Sequence, residues 1–173
     1  MMLPPAEESP LTKAHRRANF DCGEPPLNDY LARFAMQAHQ RGGAKTFVTC
    51  PTAEPTRILG YYTLAPASVA FARVPASVTK GLARHDVPML RLARLAVDVS
   101  VQRLGLGQAL LFAAGKRCVT VAQEVGGVAL LIDAKSDRAA KWYESFGATR
   151  LADAPLTLVL LLKTIAKAIG APT

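Results

Sequence analysis

An extended apolar segment, Pro88 to Val97, passes through Asp98 and a short polar loop into Gln102-Arg103-Leu104-Gly105-Leu106-Gly107, and from there into an amphipathic helix. This arrangement constrains the chain more than any other stretch, because a glycine-bearing turn at a helix start exposes unpaired amides at the positive end of the helix dipole. A diphosphate suits such a place, and Arg103 adds a donor for charge-assisted bonds. The glycines are out of register for a dinucleotide-binding G-x-G-x-x-G, and the Gly-Lys-Ser/Thr of a Walker A loop is absent. Taken alone, the pattern also suits an ordinary tight helix entry.

Around this segment the chain reads as alternating short elements. Residues 1–10 are rich in Pro and Glu and are expected to be poorly ordered. Leu27, Tyr30, Leu31, Phe34, Ala35 and Ala38 recur at three- and four-residue steps, predicting a helix closed by Gly42-Gly43. Thr46–Cys50 and Arg57–Ala65 read as a hairpin, and residues 66–88 as an irregular connection. The helix after Gly107 presents Leu106, Leu110, Ala113, Ala114 and Val121 on one face. Residues 128–132 form a buried strand, Ser136 caps a helix that ends before Gly147, and Leu156–Leu162 is a last strand. The sum is one α+β domain spanning residues 1–173, with helices around a single sheet.

The 173 residues, half of them hydrophobic, suffice for a core without disulfides or metals. Three widely spaced cysteines with no histidine at ligand spacing suggest neither a disulfide framework nor a metal site. No signal-like or membrane-spanning pattern is present, so a reducing cytoplasm is expected. The net charge of +8 concentrates in residues 73–117, where eight basic side chains face two acidic ones. Such a patch attracts polyanions, and coenzyme A phosphates and RNA both qualify, as does the plainer reading of a solvated basic surface.

Arg94-Leu-Ala-Val-Asp98, Gln102–Gly107, Leu110-Leu111 and Ala139-Ala-Lys-Trp-Tyr-Glu-Ser-Phe-Gly147 together resemble the GCN5-related N-acetyltransferases. Phe20-Asp-Cys-Gly23, Leu27-Asn-Asp-Tyr-Leu31 and Gly60-Tyr-Tyr-Thr-Leu64 are similar to the TacT/AtaT-like toxins within that superfamily. The resemblance covers about residues 11–163 and implies a mixed central sheet splayed between two parallel strands and flanked by helices. It implies acetyl-CoA as cofactor, with the backbone of Leu95, Ala96 and Val97 pairing with the pantetheine. Gln102, Arg103, Leu104, Gly105, Leu106 and Gly107 then lie at the diphosphate, and Asp133 and Ala139 also border the cofactor. Tyr143 becomes the catalytic candidate, a phenol able to protonate the departing thiolate. Trp142 and Phe146 read as packing residues.

The strand from Leu90 to Val97 lacks any carboxylate, so no general base is evident. An amine of low pKa needs none, and an aminoacyl ester's α-amine is lower than the ordinary α-amine value of about 7.7–8.0. The resemblance therefore implies acetylation of the amino acid on charged tRNA, with Arg73, Lys80, Arg84, Arg91 and Arg94 as candidate contacts to the acceptor stem. Arg94 is equally readable as half-buried beside the catalytic strand. A protein N-terminus or a small amine is an alternative acceptor, and a module that merely binds coenzyme A is a third reading. The toxin branch implies an antitoxin with a ribbon-helix-helix domain, DNA association only through that complex, and a homodimer for which Val69–Ala72 is a candidate contact.

Overall fold

The computed structural model describes residues 1–170. Its strands are β1 (Ala6–Pro10), β2 (Lys45–Pro51), β3 (Gly60–Val69), β4 (Val87–Val97), β5 (Ala129–Asp133), β6 (Thr149–Leu151) and β7 (Ala154–Leu161). Its helices are α1 (Pro25–Asp29), α2 (Ala35–Arg41), α3 (Ala76–Thr79), α4 (Leu106–Val125), α5 (Asp137–Glu144) and α6 (Leu162–Ile169). The strands form one seven-stranded sheet in the order β1-β2-β3-β4-β5-β7-β6. Its β4–β5 pair is parallel, while the β1–β2, β2–β3, β5–β7 and β6–β7 ladders are antiparallel, in keeping with the expected α+β class. The chain divides into two compact units, residues 1–65 with 94–111, and residues 66–93 with 112–173.

In the first unit, β1 pairs with β2 from Ala6↔Pro51 to Pro10↔Phe47, and β2 with β3 from Lys45↔Leu64 to Thr49↔Gly60. The expectation of a poorly ordered terminus is therefore corrected over residues 6–10. An edge strand needs a partner on one side only, which suits a charged segment ending in proline. Leu11, Phe20, Leu31, Ala35, Val48, Ile58 and Tyr61 form its core. The predicted helix begins at Pro25-Pro26 and ends at Gly42, whose φ of 80° lies in the left-handed region.

A π-helical turn over Tyr30–Phe34 joins α1 to α2. Its wider turn breaks the three- and four-residue periodicity. Leu31 and Ala35 stay fully buried, whereas Phe34, expected on the core face, is 54 % exposed. Gly60 begins β3 where a side chain has no room: a Cβ there would lie 2.8 Å from Leu110 Cδ1 and 3.2 Å from the Ala96 carbonyl oxygen. Gly60→Ala is expected to cost roughly 1–3 kcal/mol by overpacking, read as a lower midpoint in denaturant with an unchanged slope.

In the second unit, the β4–β5 ladder runs from Met89↔Ala129 to Leu92↔Ile132, while β4 itself continues to Val97. β7 pairs with β5 along its length and with β6 at its start. The β6 strand, only three residues long, was not anticipated from sequence. Val69, Val74, Val78, Val87, Met89, Leu131 and Val159 are buried together, with Phe71 packed against them. Val69 and Phe71 thus serve this unit's own core, which removes the apolar reason for taking residues 69–72 as a contact with a second copy. On α4, Leu110, Ala114 and Cys118 are buried at four-residue steps, and Val121, placed by sequence on that face, is 37 % exposed.

Candidate active site

The turn between β4 and α4 is built by a polar brace. Asp98, 9 % exposed, accepts bonds from the Asp21 amide (3.0 Å), the Ser100 amide (3.0 Å) and the Ser100 hydroxyl (2.6 Å). The Val99 amide donates to the Asp21 carbonyl (2.8 Å), and the Asp98 amide to the Leu59 carbonyl (2.8 Å). Asp21 in turn accepts from the Gly23 amide and the Asn28 side chain, bonds that hold its carboxyl below the usual range. Asn28 also accepts from the Cys22 amide at 2.9 Å. The Phe20–Gly23 and Leu27–Leu31 blocks therefore acquire a physical role, which is to fix the loop that leads into the glycine turn.

Within the turn, Gln102 donates its side-chain amide to the carbonyls of Cys22 and Val97, both at 2.9 Å. Its side chain ties loop to strand rather than standing open to a ligand. Arg103 has φ 63°, the sole non-glycine residue with positive φ among the described residues, and Gly105 has φ 91°. The first bond of the helix runs from the Ala109 amide to the Gly105 carbonyl. The amides of Leu106, Gly107 and Gln108 have no carbonyl one turn earlier to accept from them, as at any helix start. A Cβ at Gly105 would meet nothing within 4 Å, so free space adjoins these amides. Leu95, Ala96 and Val97 lie at the C-terminal end of β4, with Ala96 buried and the other two half-buried.

Tyr143 belongs to the second unit. Ser136 caps α5 by accepting from the Ala139 amide at 3.1 Å, so the Ala139 N–H is spoken for by the helix itself. Tyr143 is 6 % exposed and packs edge-on to Trp142 at 4.9 Å between centroids. Burial first, and the negative charge of Asp133 second, raise its pKa well above the ordinary value. Arg17 Nε is the sole fully enclosed side-chain polar atom without a partner among the described residues. Among the described residues nothing hydrogen-bonds the Tyr143 hydroxyl, and the side chain keeps 6 % of its surface exposed. A phenol in this setting is neutral at physiological pH and free to donate. Asp133, at the end of β5, meets Arg91 Nε at 3.3 Å.

The five basic candidates separate into three situations. Arg73 is held by Asp153 at 2.7 Å and Arg91 by Asp133. Arg94 is half-buried, its guanidinium carbon 3.5 Å from the centroid of the Tyr30 ring. Lys80 and Arg84 are exposed and have no ion partner among the described residues. The histidines outside this set are local: His15 accepts from the Thr12 amide and His39 from the Thr46 amide, both at 3.0 Å. The three cysteines are buried, and among the described residues none forms a disulfide. Among the described residues no cluster of His, Cys, Asp or Glu suits a metal ion, and no helix is long and apolar enough to cross a membrane.

No protein-family model matches the chain. A "tRNA-acetylating toxin" of Mycobacterium tuberculosis is 41% identical over 152 residues, which cover 88% of this chain and 89% of that protein. The solved structure of AtaT complexed with acetyl-methionyl-tRNAfMet superposes with a TM-score of 0.87 at 27% identity, covering 95% of this chain and 99% of AtaT. A tyrosine-to-phenylalanine mutant of AtaT, bound to the C-terminus of the antitoxin AtaR and acetyl-CoA, gives 0.81 at 26% identity, covering 95% and 98%. These likenesses extend over nearly the whole chain. The chain belongs to the family of tRNA-acetylating toxins, built on the fold of the GCN5-related N-acetyltransferases.

Proposed function

We propose that this protein transfers the acetyl group of acetyl-CoA to the α-amine of amino acids carried on charged tRNA, and so blocks translation. The observation that carries this reading is Tyr143: a buried phenol, held neutral, whose hydroxyl no described residue hydrogen-bonds. The residues fit the donor, since the amides ahead of Ala109 await an acceptor beside free space at Gly105. Arg103 to Gly107 would hold its diphosphate, and the backbone of Leu95, Ala96 and Val97 its amides. When bound, acetyl-CoA supplies the activated thioester.

The chain's own residues supply the rest. Tyr143 donates its proton toward the departing sulfur, which is general acid catalysis. No carboxylate lies on β4, so a backbone carbonyl can only orient the attacking amine by accepting its hydrogen bond, and the proton passes to water. An amine already largely neutral near pH 8 tolerates that arrangement, and a lysine ε-amine does not. The Val97 amide is a candidate donor to the developing oxyanion.

Incubation with acetyl-CoA and a pool of charged tRNAs should yield N-acetyl-aminoacyl-tRNA. Modification of free amines or protein N-termini with charged tRNA untouched would reject the reading. Lys80 and Arg84 remain the best candidates for outer RNA contacts, and replacing both by glutamate should weaken tRNA binding and flatten its dependence on salt by about 0.9 per lost phosphate contact. Acetyl-CoA affinity should not change. An antitoxin with a ribbon-helix-helix domain, DNA binding only through that complex, a homodimer, a single folding domain and a cytoplasmic location complete the proposal.

A further inference from the structure

Tyr143 rides on α5, a helix of eight residues that lies against β6 and β7 and buries Ala140 and Tyr143. Apolar contact is non-directional, so it presses the helix down without fixing its roll about its own axis. The polar side supplies that constraint. Asp137 and Glu144 are seven residues apart, two turns, and therefore share one stripe of the helix. Arg150 on β6 takes both: its Nη1 meets Asp137 Oδ1 at 2.7 Å, and its Nε meets Glu144 Oε1 at 2.8 Å. One guanidinium thus grips the first and the last residue of α5.

Three observations mark this grip as built into the fold. The Arg150 side chain is 22 % exposed against 61 % and 42 % for the two carboxylates, so the cation is drawn off the solvent by its partners. The β6–β7 register shifts between Arg150 and Leu151, and a bulge of this kind re-aims a side chain. Glu144 is an acid in the last turn of its helix, where the dipole disfavours negative charge, and Arg150 brings the counter-charge there. Lys141 also reaches Asp137, at 3.3 Å, but this exposed and flexible side chain holds one end alone.

The displacement at stake is small. A roll of about 10° carries a group at the rim of a helix, roughly 5–6 Å from the axis, through about 1 Å. A misplacement of that size lowers a rate by as much as about 100-fold. Tyr143 adjoins Glu144 in the chain, so the constraint acts next to the phenol itself.

We infer that Arg150 is a positioning residue for acetyl transfer: by gripping Asp137 and Glu144 together it fixes the roll of α5, and with it the direction of the Tyr143 hydroxyl. The inference rests on the reading under Proposed function and deepens it by naming what aims the general acid. Arg150 acts through Tyr143 and not on the substrate.

Steady-state acetylation of charged tRNA is measured for the wild type, Arg150→Gln, Arg150→Lys, Glu144→Gln, Tyr143→Phe and the double variant Arg150→Gln with Tyr143→Phe, alongside thermal melts. Arg150→Gln should lower kcat by about 10- to 100-fold and leave KM for acetyl-CoA and for tRNA unchanged. Arg150→Lys keeps the charge without the fork and should recover part of kcat. Glu144→Gln should lower kcat less and keep the melting temperature, because it also removes an acid from the wrong end of the dipole. In the Tyr143→Phe background Arg150→Gln should lower kcat no further, since residues that act as a unit are not additive. Tyrosinate absorbance, taken as the difference from the matching Tyr143→Phe protein, should titrate closer to the ordinary value near 10 in Arg150→Gln than in the wild type.

An unchanged kcat in a folded Arg150→Gln overturns the inference, as does an equal fold-loss in the Tyr143→Phe background or an effect confined to KM. If Arg150→Gln does not fold, Arg150→Lys and Glu144→Gln decide. A wild type that never acetylates charged tRNA refutes the proposed function instead, whereas the tyrosinate titration needs no acceptor and still tests the grip.

Discussion

Tyr143→Phe is expected to lower the turnover of aminoacyl-tRNA acetylation by roughly 10²–10⁴-fold, the range for loss of a positioned general acid. The substitution removes one oxygen and keeps the ring, so the edge-on packing against Trp142 and the burial of the helix face persist. Among the described residues no hydrogen bond is lost, because none reaches the hydroxyl. Stability should therefore stay within about 0.5 kcal/mol of the wild type, and acetyl-CoA affinity should hold. The direction of the pKa shift adds a second readout. Burial and Asp133 favour the neutral phenol, so the tyrosinate absorbance that disappears in Tyr143→Phe should belong to a group titrating above the usual value near 10. A variant that still turns over at the parental rate would remove Tyr143 from the chemistry, and a normal titration would remove the reason to think it protected.

The second large effect is structural in origin and catalytic in consequence. Asp98→Ala deletes an almost wholly buried carboxylate that accepts three bonds and leaves the amides of Asp21 and Ser100 without their acceptor. Bonds to a charged group are each worth about 1.5–3 kcal/mol. Ser100 is exposed, so water makes good much of what its two bonds lose, and a total loss of roughly 3 kcal/mol remains, equivalent to about 6–12 °C in melting temperature for a chain of this size. Because the same carboxylate positions the segment that leads into Gln102, acetyl-CoA affinity should fall with it. Asp98→Asn, which retains one acceptor oxygen, should be intermediate on both measures. Parallel losses are the diagnostic result; a protein that melts early yet grips acetyl-CoA normally would show that the brace stabilises the fold without shaping the turn.

The parts of this molecule that could be read from its residues are those governed by neighbours in the chain. Ser136 and Gly147 bracket α5 because a cap needs a hydroxyl three residues before the amide it accepts from, and a helix end needs a residue tolerant of positive φ. The glycine turn and the position of Tyr143 follow from motifs of fixed spacing. Elsewhere the deciding contacts are distant. The π-helical turn at Tyr30–Phe34 depends on packing against residues 17–19, so no local period announces it and Phe34 was placed on the wrong face. β1 and β6 are too short for alternation to register, and exist because β2 and β7 offer them an edge. Asp98, Asp21 and Asn28 were visible as letters, yet their joint role needed the fold, since Asp21 and Asp98 are far apart in sequence. Gln102 and Ala139 carry the family pattern while spending a side-chain amide and a backbone amide, respectively, on local structure.

Arg103 bears on how such a molecule balances endurance against use. Any L-residue with a side chain is disfavoured by about 1–2 kcal/mol in the left-handed basin, a penalty that glycine at the same place would escape. The turn thus holds a conformation that a glycine would adopt more cheaply, with the Arg103 backbone next to the amides that open α4. On the proposed function, durability is given up there in exchange for a permanent readiness to seize an anion.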